Sequence, residues 1–428
     1  MLLLIRAGLS FRSIPKALSL LNDAKKTEFW VPHFTSIINW VLRCGLSLLK
    51  AVKPAGEPWI AIVDASIGVG TKKVLVILRV PLAIFKRKKK NEAPILEDAE
   101  CIGVHLSDSW NGESIHEKMV ETFNNSGLPV AILKDGGSDI QKGVRLLSES
   151  KKEPIETIDD VGHVASNALE SEFSELIIFK DFLEMINLAR NRMRQSQASF
   201  LAPPKLRSHS RFMSMGRLAK WGKRILKTLK EADKCHDTKL SETINFYLPE
   251  MDYYVEFLKR FISTSDGVDS FLKIVKREGI GPLSIIKARI ALFMMPSRSI
   301  TRLKLKEWLK RHQKIRLQLA KKTGDSSLNL MVSSDIIESL FGTFKQIIFR
   351  CPSKEYNKSI LSIPLLCGKF DYESMTQHLD STPQNDLNVW QNKIIKTTQL
   401  GLKRRFHRGE LTGEMVRDFR RRSSDAAP

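Results

Sequence analysis

Three carboxylates in this chain stand where an acid needs an explanation. Asp64 follows the apolar run Trp59-Ile60-Ala61-Ile62-Val63. Asp135 follows the run that ends at Leu133 and leads into Gly136-Gly137. Glu338 sits beside Ile337, with Leu340 and Phe341 close behind. A lone carboxylate at such a margin is costly unless it meets a cation. Three oxygen donors brought to one point would suit two Mg²⁺ (or Mn²⁺) ions about 3.5–4 Å apart, an arrangement that serves in-line displacement at phosphorus. Each acid has a plainer reading. Asp64 could be a turn acid after a strand, and Asp135 a turn former with Asp139 as its rival. Asp335, favoured early in a helix by the dipole, competes with Glu338.

The elements that must carry these acids can be read from period and punctuation. Apolar runs bounded by turns predict strands at Trp59–Val63, Lys73–Val80, Cys101–Leu106, Pro129–Leu133 and Ile155–Ile158. Helical spacing appears over Glu113–Phe123 and Ile140–Leu147, and Asp160-Val161-Gly162-His163 opens a longer helix. Three meandering strands followed by strands alternating with helices make a mixed α/β sheet. If the first and fourth strands are neighbours, Asp64 and Asp135 come together at strand ends, because paired strands lie about 4.8 Å apart.

Residues 172–325 have no strand pattern and are strongly basic. Helices are expected over Leu183–Arg194, Met215–Lys230, Ser241–Ile262 and Leu303–Leu319, with Trp221 and Trp308 as core residues. Residues 1–52 read as a small helical module, a helix-turn-helix DNA reader or else a packing or dimerisation unit. Residues 58–171 form the first part of the α/β core and 326–370 its closing helix, started by Ser333 or Ser334. Residues 371–428 form a basic tail containing Arg404, Arg405 and the run Arg420-Arg421-Arg422. The loop Lys86-Arg87-Lys88-Lys89-Lys90 is a further basic cluster.

Charge narrows the partner. Of 428 residues, 69 are Lys or Arg and 47 Asp or Glu, a net charge of +22 that points to a polyanion, nucleic acid above all. Hydrophobic residues make up 42%, enough for a substantial core and too many for a disordered chain. Cys44, Cys101, Cys235, Cys351 and Cys367 are scattered with no C-x-x-C pair, which argues for a reducing compartment and against a disulfide framework or structural zinc. The opening apolar run is too short for a signal peptide, and no run is long enough to span a membrane, so a soluble intracellular protein is expected.

The motifs resemble the DDE transposases of bacterial insertion sequences and their hAT-type relatives. Ile62-Val63-Asp64 matches the first Asp on the first strand, Leu133-Lys134-Asp135-Gly136-Gly137 the second after the fourth strand, and Ile337-Glu338-Ser339-Leu340 the Glu of a late helix. The spacing of Glu338 and Lys345 is similar to part of one transposase signature, with Ser334 in place of that signature's Arg. Asp160-x-x-His163 is similar to the C/D-x2-H motif that many of these proteins carry. The resemblance implies an RNase H-like mixed sheet interrupted by an all-α insertion. It implies Asp64, Asp135 and Glu338 as catalytic metal ligands, with Asp160 and His163 standing behind them. Lys345 would touch DNA phosphate, and Lys88, Arg404 and Arg405 would add phosphate contacts. The partners implied are terminal inverted repeats and target DNA, handled by a homodimer in the bacterial cytoplasm at the nucleoid. The alternatives are an RNase H-like structure-selective DNA nuclease and a non-catalytic DNA-binding protein derived from a transposase. A helix cap with a surface histidine remains the plainer reading of Asp160 and His163.

Overall fold

In the computed structural model, strands β1 Trp59–Val69, β2 Lys72–Pro81, β3 Glu100–Ser107, β4 Ala131–Lys134 and β5 Glu156–Asp159 form one mixed sheet, in the order β3-β2-β1-β4-β5. The structure describes residues 1, 4, 7–53, 56–69, 72–89, 92–150, 155–206, 212, 215–235, 238–350, 356–395, 399–410 and 413. β1, β2 and β3 pair antiparallel in a meander. β4 and β5 are each reached through a helix, α3 Gly112–Ser126 and α4 Ser138–Glu149, and pair parallel with β1 and with each other. A parallel return needs such a crossover, whereas an antiparallel one needs only a turn.

Side-chain alternation sends successive residues to opposite faces. On one face Trp59, Ala61, Val63, Leu75, Ile77 and Ile132 pack with Ile115, Met119 and Phe123 of α3 and with Ile140, Val144 and Leu147 of α4. On the other, Ile60, Ile62, Val74, Val76, Leu78, Leu133 and Ile158 belong to the main core. With both faces covered, the central strand has no polar residue before Asp64. β1 runs on to Val69, beyond the expected end at Val63, because β2 is long enough to continue the hairpin after β4 has stopped.

After β5 come α5 Val161–Phe173, α6 Ile177–Met193, α7 Met215–Cys235, α8 Thr238–Tyr247, α9 Met251–Glu278, α10 Pro282–Phe293, α11 Ile300–Thr323 and α12 Asp335–Phe349. The helix expected over Ser241–Ile262 is two helices, α8 and α9. Pro249 lies between them, and Glu250 takes the left-handed conformation at φ 59°. An aromatic stack of Phe173, Phe179, Phe182, Phe257 and Phe261 joins α5, α6 and α9, and this apolar mass is continuous with the sheet core. Trp308 is buried and Trp221 partly so, both as core residues. Among the described residues, no helix is long and apolar enough to cross a membrane.

The front helices are α1 Ser13–Lys25 and α2 Phe34–Lys50. α2 turns most of its surface inward, as a packing helix does. Ile37, Val41, Leu42, Cys44, Gly45, Leu46, Ser47 and Leu48 are buried, largely by residues from the far end of the chain. Arg43 donates to the carbonyls of Leu379 and Thr382 at 2.7 and 2.6 Å, and Lys50 pairs with Asp386 at 2.8 Å. Gly45 is required for this packing: a Cβ there would lie 1.7 Å from the Leu361 carbonyl oxygen. The basic C-terminal stretch begins with helices. α13 Tyr372–Asp380 packs on α2, α14 Gln384–Ile394 places Leu387 against Leu42 and Leu46, and α15 Gln399–His407 follows. The run Arg420-Arg421-Arg422 lies outside the described residues.

Candidate active site

The end of β4 creates the site. Val63 on β1 pairs with Lys134 on β4, and Lys134 pairs with Asp159 on β5. One residue further on, Asp64, Asp135 and Asp160 stand in a row at the carboxyl ends of three adjacent parallel segments. Ligand sites form at such ends in open α/β sheets. Neighbours in the row are about 4.8 Å apart along the sheet. The alternation that buries Ile60 and Ile62, Ala131 and Leu133, and Ile158 directs all three acids to the main-core face, where α12 packs against β1.

α12 reaches this face on a threaded segment. Ile280 and Leu330 exchange backbone hydrogen bonds of 2.8 and 2.9 Å, and the Val161 N–H donates to the Val332 carbonyl at 3.0 Å. Gly279, at φ 66°, allows the close approach: a Cβ there would lie 2.7 Å from the Leu330 oxygen. Asp160 then joins two helix starts. Its Oδ1 accepts the His163 N–H at 2.8 Å, capping α5. Its Oδ2 accepts the Ser334 N–H at 2.7 Å and the Ser334 hydroxyl at 2.9 Å. The Ser334 side chain therefore bonds to Asp160 and does not cap its own helix, as its position in sequence had suggested. Glu338 lies on the first turn of α12, with His163 Nε2 3.8 Å from its Oε1.

Asp64 feels the charges of its acidic neighbours. The Asp64 carboxyl is pushed up to about 8, by burial first and by the Asp135 charge next. Glu338 and Asp160 add to the rise, and the Ala65 N–H opposes it. Glu338 is raised by burial, then by Asp160 and Asp335, against His163 and Lys276. Asp335, the rival of Glu338, is already matched by Lys276 at 2.6 Å, and Asp139 is exposed on α4. Among the described residues, no lysine or arginine forms an ion pair with Asp64, Asp135 or Glu338.

The side chains are not gathered as ligands. Among the described residues, no group of three or more His, Cys, Asp or Glu could hold a metal ion as they stand. Asp64 Oδ1 accepts the N–H of its neighbour Ala65 at 2.7 Å, and Asp135 Oδ1 accepts the Gly137 N–H at 3.0 Å. The donor chemistry fits Mg²⁺ or Mn²⁺: hard oxygens, excess negative charge, and a carboxyl whose ionisation is suppressed where a cation would favour it.

The remaining predicted residues divide. Lys345 lies two turns after Glu338 on the same face of α12, half-buried. Arg404 and Arg405 are exposed on α15. Lys88 has a buried side chain in a 2.8 Å ion pair with Asp98, which also accepts the Ile95 N–H. Its neighbours Lys86 and Arg87 pair with Asp325 and Glu57, and Lys90 lies outside the described residues.

Sequence reading missed the support behind the row. His312 of α11 is fully buried; its Nε2 accepts the Asp159 N–H at 3.0 Å and its Nδ1 donates to the Trp308 carbonyl at 2.8 Å. Trp308 Nε1 donates to the Asp159 carbonyl at 3.2 Å, and Arg311 pairs with the Asp159 carboxylate at 2.5 Å. The only trace of this in the sequence is a Trp and a His four residues apart, one turn of an otherwise basic helix.

No family model and no curated protein matches the chain. Among solved structures, it is similar to the "Drosophila P element transposase strand transfer complex", with a TM-score of 0.44 and 13% sequence identity over 87% of this chain and 96% of that one.

Proposed function

We propose that this chain is a DNA transposase that cuts at element ends and joins the freed 3′-hydroxyl to target DNA. The observation that carries the reading is Asp64, placed on β1 just beyond its pairing with β4, beside Asp135 just past the end of β4, with the charges of Asp135 and Glu338 both felt at Asp64 and none of the three paired to a lysine or arginine among the described residues. Asp64, Asp135 and Glu338 would hold Mg²⁺ or Mn²⁺, which would supply charge stabilisation at a scissile phosphate and activation of a water or hydroxyl. The chain's own contribution is positioning. Asp160 ties the start of α12 through Ser334, and would thereby orient Glu338 towards the row; His163 lies 3.8 Å from Glu338, and α11 holds the end of β5 through His312 and Trp308. The basic excess, including Lys345, Arg404 and Arg405, would bind the backbone of terminal repeats and target DNA. A homodimer that synapses two ends completes the proposal.

The test uses oligonucleotides carrying the ends of the encoding element. Asp64→Asn, Asp135→Asn and Glu338→Gln should each lower cleavage and joining by at least about 100-fold while DNA affinity persists. Cleavage retained by any one variant removes that residue from the site. Cutting of branched DNA with no joined product would favour a structure-selective nuclease. The remaining alternative is a non-catalytic DNA-binding descendant of a transposase. On that reading the wild-type chain binds DNA and neither cuts nor joins it with either metal.

A further inference from the structure

Two exposed phenylalanines meet at one groove beside the end of α6. The short 3₁₀ helix Gln197–Leu201 follows α6 and buries Ala198 and Leu201. Ser196 caps it by accepting the Ala198 N–H at 3.1 Å, and Trp221 Nε1 donates to the Leu201 carbonyl at 2.9 Å. Phe200, between these anchors, is 77% exposed. α8 is held in the core by Ile244 and leaves Phe246 72% exposed. Tyr247 packs on Phe246 edge to face, with ring centroids 5.0 Å apart. Phe200 and Phe246 line an open groove of about 790 Å³ together with Ser196, Lys239, Thr243 and Tyr247. A lone exposed aromatic needs no explanation, but two on anchored supports in one groove do.

The groove also has cations to spare. Lys239 lies in the first turn of α8, where the helix dipole disfavours a positive charge. Arg192 and Arg194 come just before Ser196. All three are exposed, and none forms an ion pair among the described residues. Glu242 is the one acid among the described lining residues, and the three cations outnumber it. We propose that this groove binds single-stranded nucleic acid, with unpaired bases stacked on Phe200 and Phe246 and phosphates met by Lys239, Arg192 and Arg194. Aromatic platforms beside a positive track make single-strand sites that tolerate any sequence, because every base has a π face. A duplex keeps those faces stacked within its own helix and has none to offer the rings. A partner helix or a membrane would call for a broad aliphatic surface, and Ala198 and Leu240 are the only aliphatic residues among the described lining. The inference rests on the nucleic-acid part of the proposed function and adds a strand form that the row of acids does not require.

The test is fluorescence anisotropy of the full chain with a labelled oligothymidylate of about 20 nucleotides, an abasic strand of equal length and a duplex of equal length. The wild type should hold the oligothymidylate at least about 10-fold more tightly than the abasic strand, since the charge is matched and only the bases are lost. Phe200→Ala and Phe246→Ala should each weaken oligothymidylate binding by about 5- to 150-fold, the loss of one stacked base, and leave duplex binding unchanged. Phe246→Trp should keep the affinity and Phe246→Leu should lose it, because stacking needs a π face. Lys239→Ala should lower the slope of log affinity against log salt by about 0.7 for the single strand. Both phenylalanines are exposed, so the thermal unfolding midpoints of the variants should match the wild type. Equal affinity for the oligothymidylate and the abasic strand, variants that bind as the wild type does, or an equal fall in duplex binding overturns the inference and leaves the proposed function standing. Absence of binding to any of the three strands overturns both.

Discussion

Replacing Asp160 with alanine separates a structural tie from a catalytic acid. Asp160 is 2% exposed and accepts three hydrogen bonds, one from His163 and two from Ser334. Loss of the cap on α5 costs about 1 kcal/mol. Leaving the Ser334 N–H and hydroxyl buried without an acceptor costs about 1–3 kcal/mol more. Removing a negative charge also relieves Glu338 and Asp64, both raised in part by Asp160, and this trims the loss. The net expectation is a destabilisation of about 2–3 kcal/mol by urea denaturation. Ser334→Ala keeps the backbone bond and should cost about 1 kcal/mol. The double variant should cost less than the sum, because the two residues share one interaction. In a cleavage assay, Asp160→Ala should slow the reaction with little change in DNA affinity. A stability change below about 0.5 kcal/mol, or strictly additive costs, would refute the idea that Asp160 fastens the two helix starts.

Two further outcomes test the frame around the site. Gly45→Ala should destabilise by about 3 kcal/mol or abolish soluble expression, since its Cβ would meet the Leu361 backbone; a circular-dichroism melt unchanged from wild type would contradict the packing of α2 on residues 358–394. Burial pushes the His312 imidazole down to about 4, with the Trp308 carbonyl opposing the shift. A depressed histidine stabilises fully above its unfolded value near 6.5, and that stability is lost as pH falls from there towards 4, in total about 3 kcal/mol. His312→Gln should flatten the urea midpoint over that pH range, and an unchanged slope would contradict the burial of a neutral ring.

Some of this architecture was written in local pattern. The strands around Asp64 and Asp135 were legible because Ile60, Ile62, Ala131 and Leu133 alternate with residues that are equally apolar, the mark of strands covered on both faces. The meander followed by crossovers came from the spacing of helices and turns. What was not legible depends on partners far along the chain. Lys88 looked like part of a free basic loop because nothing nearby shows that Asp98 folds back on it. α2 looked like a module of its own because the residues that bury it come more than three hundred positions later, from residues 358–394. Ser334 looked like an ordinary cap, since Asp160 lies far away in sequence. The break between α8 and α9 was signalled by Pro249, and the pattern on either side of it hid the stop.

The central claim is that Asp64, Asp135 and Glu338 hold divalent metal together. A crystal of the full chain soaked in Mn²⁺, with anomalous scattering used to locate the ion, tests it most directly. The account predicts Mn²⁺ bound by the carboxylates of these three residues, with Asp64 and Asp135 turned away from the backbone N–H groups of Ala65 and Gly137. Mn²⁺ bound elsewhere, or no ion at that site in a crystal that takes up manganese, would contradict it.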